Sequence, residues 1–202
     1  RGYNRRFFRG RDDVKPAPKV YAIMESNDIE KNHLQFFGTS MPETERTKAE
    51  KQIKYLLQTF VDAREYGSIL NVDVCDWELL DRFVNDLNDN GQVTFESLGS
   101  EETHEKLQGL IKIAKVMSKK YDAVVINPPY MGASGMISTM IEFIKQNYNN
   151  GKSDLFSVFM LKVARMLKNN GYASMMTSYT WMYLTSFSKL RDEMLENTTF
   201  TS

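Results

Sequence analysis

The feature that most constrains this chain is the run Asp122-Ala-Val-Val-Ile126, which ends at Asn127-Pro128-Pro129-Tyr130. A short apolar run without alternation is the pattern of a strand covered on both faces of a parallel sheet. Each proline holds φ at about −65° and removes a backbone donor. The residue before each proline is pushed toward extended geometry. The chain must therefore leave the ladder at Asn127, along a stiff exit. In open α/β sheets the ligand crevice lies beyond the carboxyl ends of the strands, so this exit is where chemistry is expected.

The rest of the chain alternates strand-type and helix-type segments, with no internal repeat. Residues 20–25 (VYAIME) form a short β-type run behind the helix-breaking Pro16 and Pro18. Ser40-Met-Pro-Glu43 has capping-box spacing with an early proline, which predicts a helix start. That helix places Ile53, Leu56, Leu57, Phe60 and Arg64 on one stripe, its apolar members facing a core, and ends at Gly67. Residues 68–74 read as a short strand, and 77–88 as a helix stopped at Asn90-Gly91. The polar stretch 85–100 reads as a loop or insertion. A long helix over 101–120 carries Leu107, Leu110, Ile111, Ala114 and Met117 on one face. After the proline pair come helices near 136–148 and 153–168, a stop at Asn169-Asn170-Gly171, a second buried strand over 172–177 and a last helix near 186–196. This order predicts an α/β fold with parallel pairing.

Composition narrows the function. The 202 residues are 42% hydrophobic and 26% charged, ordinary values for a folded soluble domain. No apolar run reaches the roughly 20 residues of a membrane span. One cysteine, Cys75, allows no internal disulfide, so a cytoplasmic location is expected. His33 and His104 stand far apart without a cysteine pair, and no metal site is expected. The 26 basic and 26 acidic residues cancel, so any nucleic-acid surface must be local. The candidate is Arg1, Arg5, Arg6, Arg9 and Arg11, interleaved with Tyr3, Phe7 and Phe8. The plainer reading of residues 1–18 is a solvated basic tail.

The exit loop presents acceptors: the Asn127 side-chain oxygen and the backbone carbonyls. Tyr130 adds a flat ring beside them. This set suits a planar group bearing an amino nitrogen, whose two hydrogens the acceptors take while the ring stacks on its face. An amine conjugated to an aromatic ring is a poor nucleophile because its lone pair is delocalised. Two acceptors drawing its hydrogens out of plane free that lone pair for a positioned electrophile, which is catalysis by orientation and preorganised dipoles.

These residues resemble a known family. The stretch 120–130 (KYDAVVINPPY) is similar to the catalytic motif of amino-group methyltransferases that use S-adenosylmethionine. Ser153-Asp-Leu-Phe156 with Phe159, Leu167-Lys168, Gly171-Tyr172, Thr177, Trp181 and Leu190-Arg191 resemble the ordered blocks that follow it in adenine-specific DNA methyltransferases. NRRFFRG, VYAIMESN, YGSIL and NPPYMG match the PglX-type enzymes of BREX phage-defence systems in order and spacing, from about residue 4 to 198.

The resemblance implies a partial Rossmann-like class I methyltransferase fold with S-adenosylmethionine as methyl donor and double-stranded DNA as substrate. Asn127 and Pro128 would accept from the amino group of an adenine flipped out of the duplex. Tyr130 would stack on the base, with Pro129 and Gly132 lining its site. Glu25, with Asn127, would lie near the cofactor. The family's Gly-rich cofactor turn and first strands have no match here, and Ser97-Leu-Gly99-Ser does not replace them. The resemblance thus implies an internal piece of a longer protein: a basic segment over 1–18, then a partial catalytic domain over 19–202 with a helical insertion around 44–120. Exposed sheet edges would let it self-associate, and other phage-defence subunits are possible partners. A protein-glutamine or RNA methyltransferase shares the loop, and a noncatalytic defence scaffold is the third reading.

Other residues carry plainer readings. Trp181, Met182 and Tyr183 read as core rather than a DNA wall, and Met175 and Met176 as core filler. Cys75 reads as a small buried hydrophobe, and His104 as solvent-facing. Gly132, Ser134 and Gly135 form either a substrate gate or a linker.

Overall fold

The structure, a computed structural model, describes residues 18–86 and 99–201. Helices dominate the first part: α1 (Glu43–Thr59), α2 (Ala63–Tyr66), α3 (Trp77–Asn85) and α4 (Ser100–Met117). Then follow β1 (Tyr121–Ile126), α5 (Ser138–Asn147), α6 (Leu155–Met166), β2 (Leu167–Met175) and α7 (Ser188–Asn197). The two strands pair in parallel, as the strand–helix–helix–strand order requires. The basic segment, the Asn90-Gly91 stop and most of 85–100 lie outside the described residues.

The helical layer buries the stripe expected of it. Ile53, Leu56, Leu57 and Phe60 meet Leu79, Leu80 and Phe83 of α3 and Leu107, Leu110, Ile111 and Ala114 of α4. Ser40 does not cap α1. Its N–H is drawn instead to Asp86 (2.8 Å), and the helix opens on Pro42 without a side-chain cap. The helix also stops early, at Thr59. Asp62 adopts φ 51° because its N–H and carboxylate are both held by Asn27. Arg64 consequently leaves the stripe for α2.

Two predicted strands are absent. Residues 20–25 find no strand to pair with and dock on the helices: Met24 packs against Gly109, and Ser26 bonds to the carbonyls of Phe60 and Leu57. Residues 68–74 form a 3-10 turn (Gly67–Ile69) and an extended connection. Ile69 and Leu70 lie in the core.

A second core joins α5, α6 and α7 through Ile144, Tyr148, Phe156, Leu161, Trp181 and Leu190. Tyr66 and Phe143, with ring centroids 4.6 Å apart, bridge the two cores. A buried polar knot adds direction. Lys162 donates to Leu70 O (2.6 Å) and Asn71 Oδ1 (3.3 Å). The Tyr148 hydroxyl donates to Ile69 O (2.6 Å) and Asn71 Oδ1 (2.8 Å). Lys120 reaches the Arg165 carbonyl. The Lys162 and Tyr148 bonds tie residues 69–71 to the second core, because a buried cation needs acceptors, and the exposed Lys120 links the start of β1 to the end of α6.

The sheet departs from expectation in one respect. β1 is not buried on both faces. Val124 and Ile126 are half-buried, while Val125 (82% exposed) and Tyr172 (74%) lie open. Among the described residues only one face of this parallel pair is covered. Met176 is therefore exposed (67%) and is not core filler. Trp181 is buried as expected, but Met182 and Tyr183 are exposed. His104 is half-buried, its ring 6.3 Å from that of Phe37, because α4 packs on the segment before α1. Among the described residues no helix is long and apolar enough to cross a membrane, and no His, Cys, Asp and Glu cluster suited to a metal ion is formed.

Candidate active site

The strand register decides where the proline loop stands. Beyond an irregularity at Asn169-Asn170-Gly171, where Asn170 takes φ 61°, Ala123 to Ile126 pair with Tyr172 to Met175. The ladder continues one bond further, from Met176 N–H to Ile126 O (3.1 Å). Both strands run in the same direction, so 127–130 and 176–179 emerge side by side at their carboxyl ends.

Asn127 is exposed at that rim, Pro128 is buried beneath it and Pro129 is exposed. Tyr130 is half-exposed (52%). Its hydroxyl donates to Met176 O (2.8 Å), and its ring lies 5.8 Å from that of Phe156 at a 43° tilt. Phe156 rests in turn against Phe187 (5.6 Å). The ring is supported from within and open outward.

Gly132 follows, exposed. Residues Ala133–Gly135 make one 3-10 turn, closed by Gly135 N–H to Gly132 O (2.9 Å). The segment is tied to α6. Met131 N–H donates to Asp154 Oδ1 (3.1 Å), Leu155 N–H donates to Met131 O (2.9 Å), and Gly132 bridges Asp154 in antiparallel fashion. Asp154 and Phe156, the groups that support the loop, stand in the sequence only as members of the 153–156 block. An aspartate directly ahead of an apolar helical run is an N-cap signal that could have marked the first of them.

Glu25 stands elsewhere. Its carboxylate accepts from Arg64 N–H (3.2 Å) and pairs with the Arg64 guanidinium (3.4 Å) at α2. Among the described residues no contact brings it to Asn127 or Tyr130. Cys75 is half-buried, and burial with the nearby Asp73 carboxylate pushes its thiol up, away from a nucleophile's range. Two clefts open on the helical side. One, of about 340 Å³, is lined by Gln58, Asp62, Tyr66, Asn71, Phe143 and Asn147. The other, of about 230 Å³, lies between α3 and α4. Neither touches the proline loop.

The sequence of the chain matches known proteins. Residues 26–202 match the model of the Eco57I restriction-modification methylase family. The chain is 36% identical over 141 residues to adenine-specific methyltransferase PglX of Lacticaseibacillus casei (strain Zhang), covering 69% of the chain and 12% of the relative. It is 34% identical over 164 residues to adenine-specific methyltransferase BrxX of Escherichia coli O9:H4 (strain HS), covering 81% of the chain and 13% of the relative. The chain thus spans about an eighth of the length of these relatives.

Proposed function

The chain belongs to the Eco57I restriction-modification methylase family, and from that membership we propose that it is the amine-orienting part of a longer adenine-N6 DNA methyltransferase. The enzyme would work in the cytoplasm, in phage defence or restriction–modification, with double-stranded DNA as substrate. Asn127 Oδ1 and the Pro128 carbonyl accept the two amino hydrogens of a flipped adenine. Tyr130 carries the base on its open face, beside Pro129 and Gly132. Holding the hydrogens out of the ring plane concentrates the lone pair on nitrogen. Positioning in this way needs no side chain that gains or loses a proton.

The family implies S-adenosylmethionine as methyl donor, and the described residues fit only part of such a site. The rim around Asn127 suits the amine. Neither of the two helical-side clefts adjoins it, and Glu25 is already paired with Arg64. We assign the cofactor's adenosine contacts to other parts of the longer protein.

The observation that carries the reading is the pairing of an exposed Asn127 with a half-exposed, hydroxyl-pinned Tyr130 at one carboxyl end of a parallel sheet. The test is methyl transfer by the full-length protein to DNA, RNA and protein glutamine. Transfer to DNA adenine that falls about a hundredfold or more in Asn127→Ala is expected. Transfer to RNA or glutamine instead would move the substrate. Unchanged host DNA methylation in Asn127→Ala would leave a scaffold.

A further inference from the structure

We propose that Asp154 is a positioning residue for this site: one carboxylate oxygen locks the backbone that follows Tyr130 to the first turn of α6. The inference rests on the reading that 127–130 orients an amine, and adds a residue that reading does not use.

The geometry is specific. Asp154 Oδ1 accepts two backbone N–H groups, from Phe156 (3.1 Å) in its own helix and from Met131 (3.1 Å) in the loop. The first is an ordinary helix cap. The second is not needed for capping and joins segments 23 residues apart in the chain. The reverse bond, Leu155 N–H to Met131 O, closes the pair into a small antiparallel bridge with Gly132. Two residues beyond Asp154, Phe156 places its ring under Tyr130. One turn of helix thus holds both the peptide after Tyr130 and the ring of Tyr130, while the Tyr130 hydroxyl is held by Met176.

The platform is rigid. Leu155, Phe156, Ser157 and Val158 are buried, and the Ser157 hydroxyl donates to the carbonyls of Gly151 (2.6 Å) and Asp154. The proline pair fixes the loop on one side of Tyr130, and Asp154 fixes it on the other. Without the second tie the Tyr130–Met131 peptide can pivot, and Asn127 and Tyr130 no longer keep one spacing.

Three variants of the full-length protein test this. Asp154→Asn keeps a carbonyl oxygen for both N–H groups. Asp154→Ser caps the helix but is too short to span to Met131. Asp154→Ala does neither. The expected result is kcat for DNA methylation lowered about tenfold to a hundredfold in Asp154→Ser and Asp154→Ala, as for a reacting group displaced by about 1 Å. KM for S-adenosylmethionine stays unchanged, and Asp154→Asn restores kcat. Hydrogen exchange of the peptide spanning 127–135 should rise in Asp154→Ser at an unchanged thermal midpoint. Parental kcat in Asp154→Ser, or Asp154→Asn as slow as Asp154→Ala, would overturn the proposal. A parent protein inactive on DNA would defeat the functional reading instead. The exchange measurement still decides the clamp: unchanged protection in Asp154→Ser overturns it.

Discussion

The Tyr130 hydroxyl donates to the carbonyl of Met176 at 2.8 Å, fastening the loop beyond β1 to the first residue beyond β2. Forty-six residues separate the two in the chain. Only parallel pairing of the strands brings them together. Tyr130→Phe removes this bond and keeps the ring. It should lower stability by about 1 kcal/mol, the net worth of one hydrogen bond. Urea unfolding measures this. In the full-length enzyme Tyr130→Ala should cost a further tenfold to hundredfold or so in methyl transfer, because base stacking is worth about 1–3 kcal/mol.

Lys162 should give stability a pH dependence. Burial, helped by Arg165 and Lys120, lowers its pKa to about 8. Below that value the ammonium is charged in both the folded and unfolded chain, and the full cost of burying it is present. As pH rises from about 8 toward the unfolded value of about 10.4, the folded state sheds its proton first and the cost is relieved. Stability relative to Lys162→Met should therefore rise over that window, by a few kcal/mol at most. Tyr148, pushed up to about 12 by burial, sets the ceiling. Unfolded tyrosine ionises first above about pH 10, and stability falls again. A pH-independent difference between parent and variant would contradict this.

Gly38 sits at φ +64°, and a Cβ there would come within 2.5 Å of the buried Phe83 ring. Gly38→Ala should cost about 2 kcal/mol through backbone strain and overpacking together. A loss below that of an ordinary surface substitution in urea unfolding would contradict it.

Val125 and Tyr172 lie on the uncovered face of a two-stranded parallel sheet. Such a pair needs cover or a neighbouring strand. Sedimentation of this chain should therefore show concentration-dependent self-association, weakened by Val125→Lys. A monomer at every concentration would contradict this.

Calorimetry of this chain with S-adenosylmethionine should give no saturable heat, because neither of the two clefts described above lies beside Asn127. Tight binding would mean that the adenosine contacts assigned above to the rest of the protein lie in this chain.

The helices of this chain were legible because their signals are local. Period-3.6 burial of Leu107, Leu110, Ile111 and Ala114 needs only a core somewhere on that side. The proline stop after Ile126 needs only the chemistry of the pyrrolidine ring. The strand expected over 172–177 overlaps β2, which begins earlier, at Leu167. What failed depended on neighbours. Residues 20–25 have strand propensity, but a strand exists only where a partner offers its ladder, and here helices stand alongside instead. Burial of Val125 and Met176 was inferred from apolar character, yet only packing can cover a face.

That a stiff loop bearing Asn127, Pro128 and Tyr130 ends a strand was readable from the residues, because proline restricts its own backbone wherever it stands. The hold of Met176 and Phe156 on Tyr130, the bond from Asp154 to the peptide beyond it and the pairing of Glu25 with Arg64 arise from folding alone. Those ties join residues distant in the chain, and their geometry comes from register and packing, which no single segment encodes.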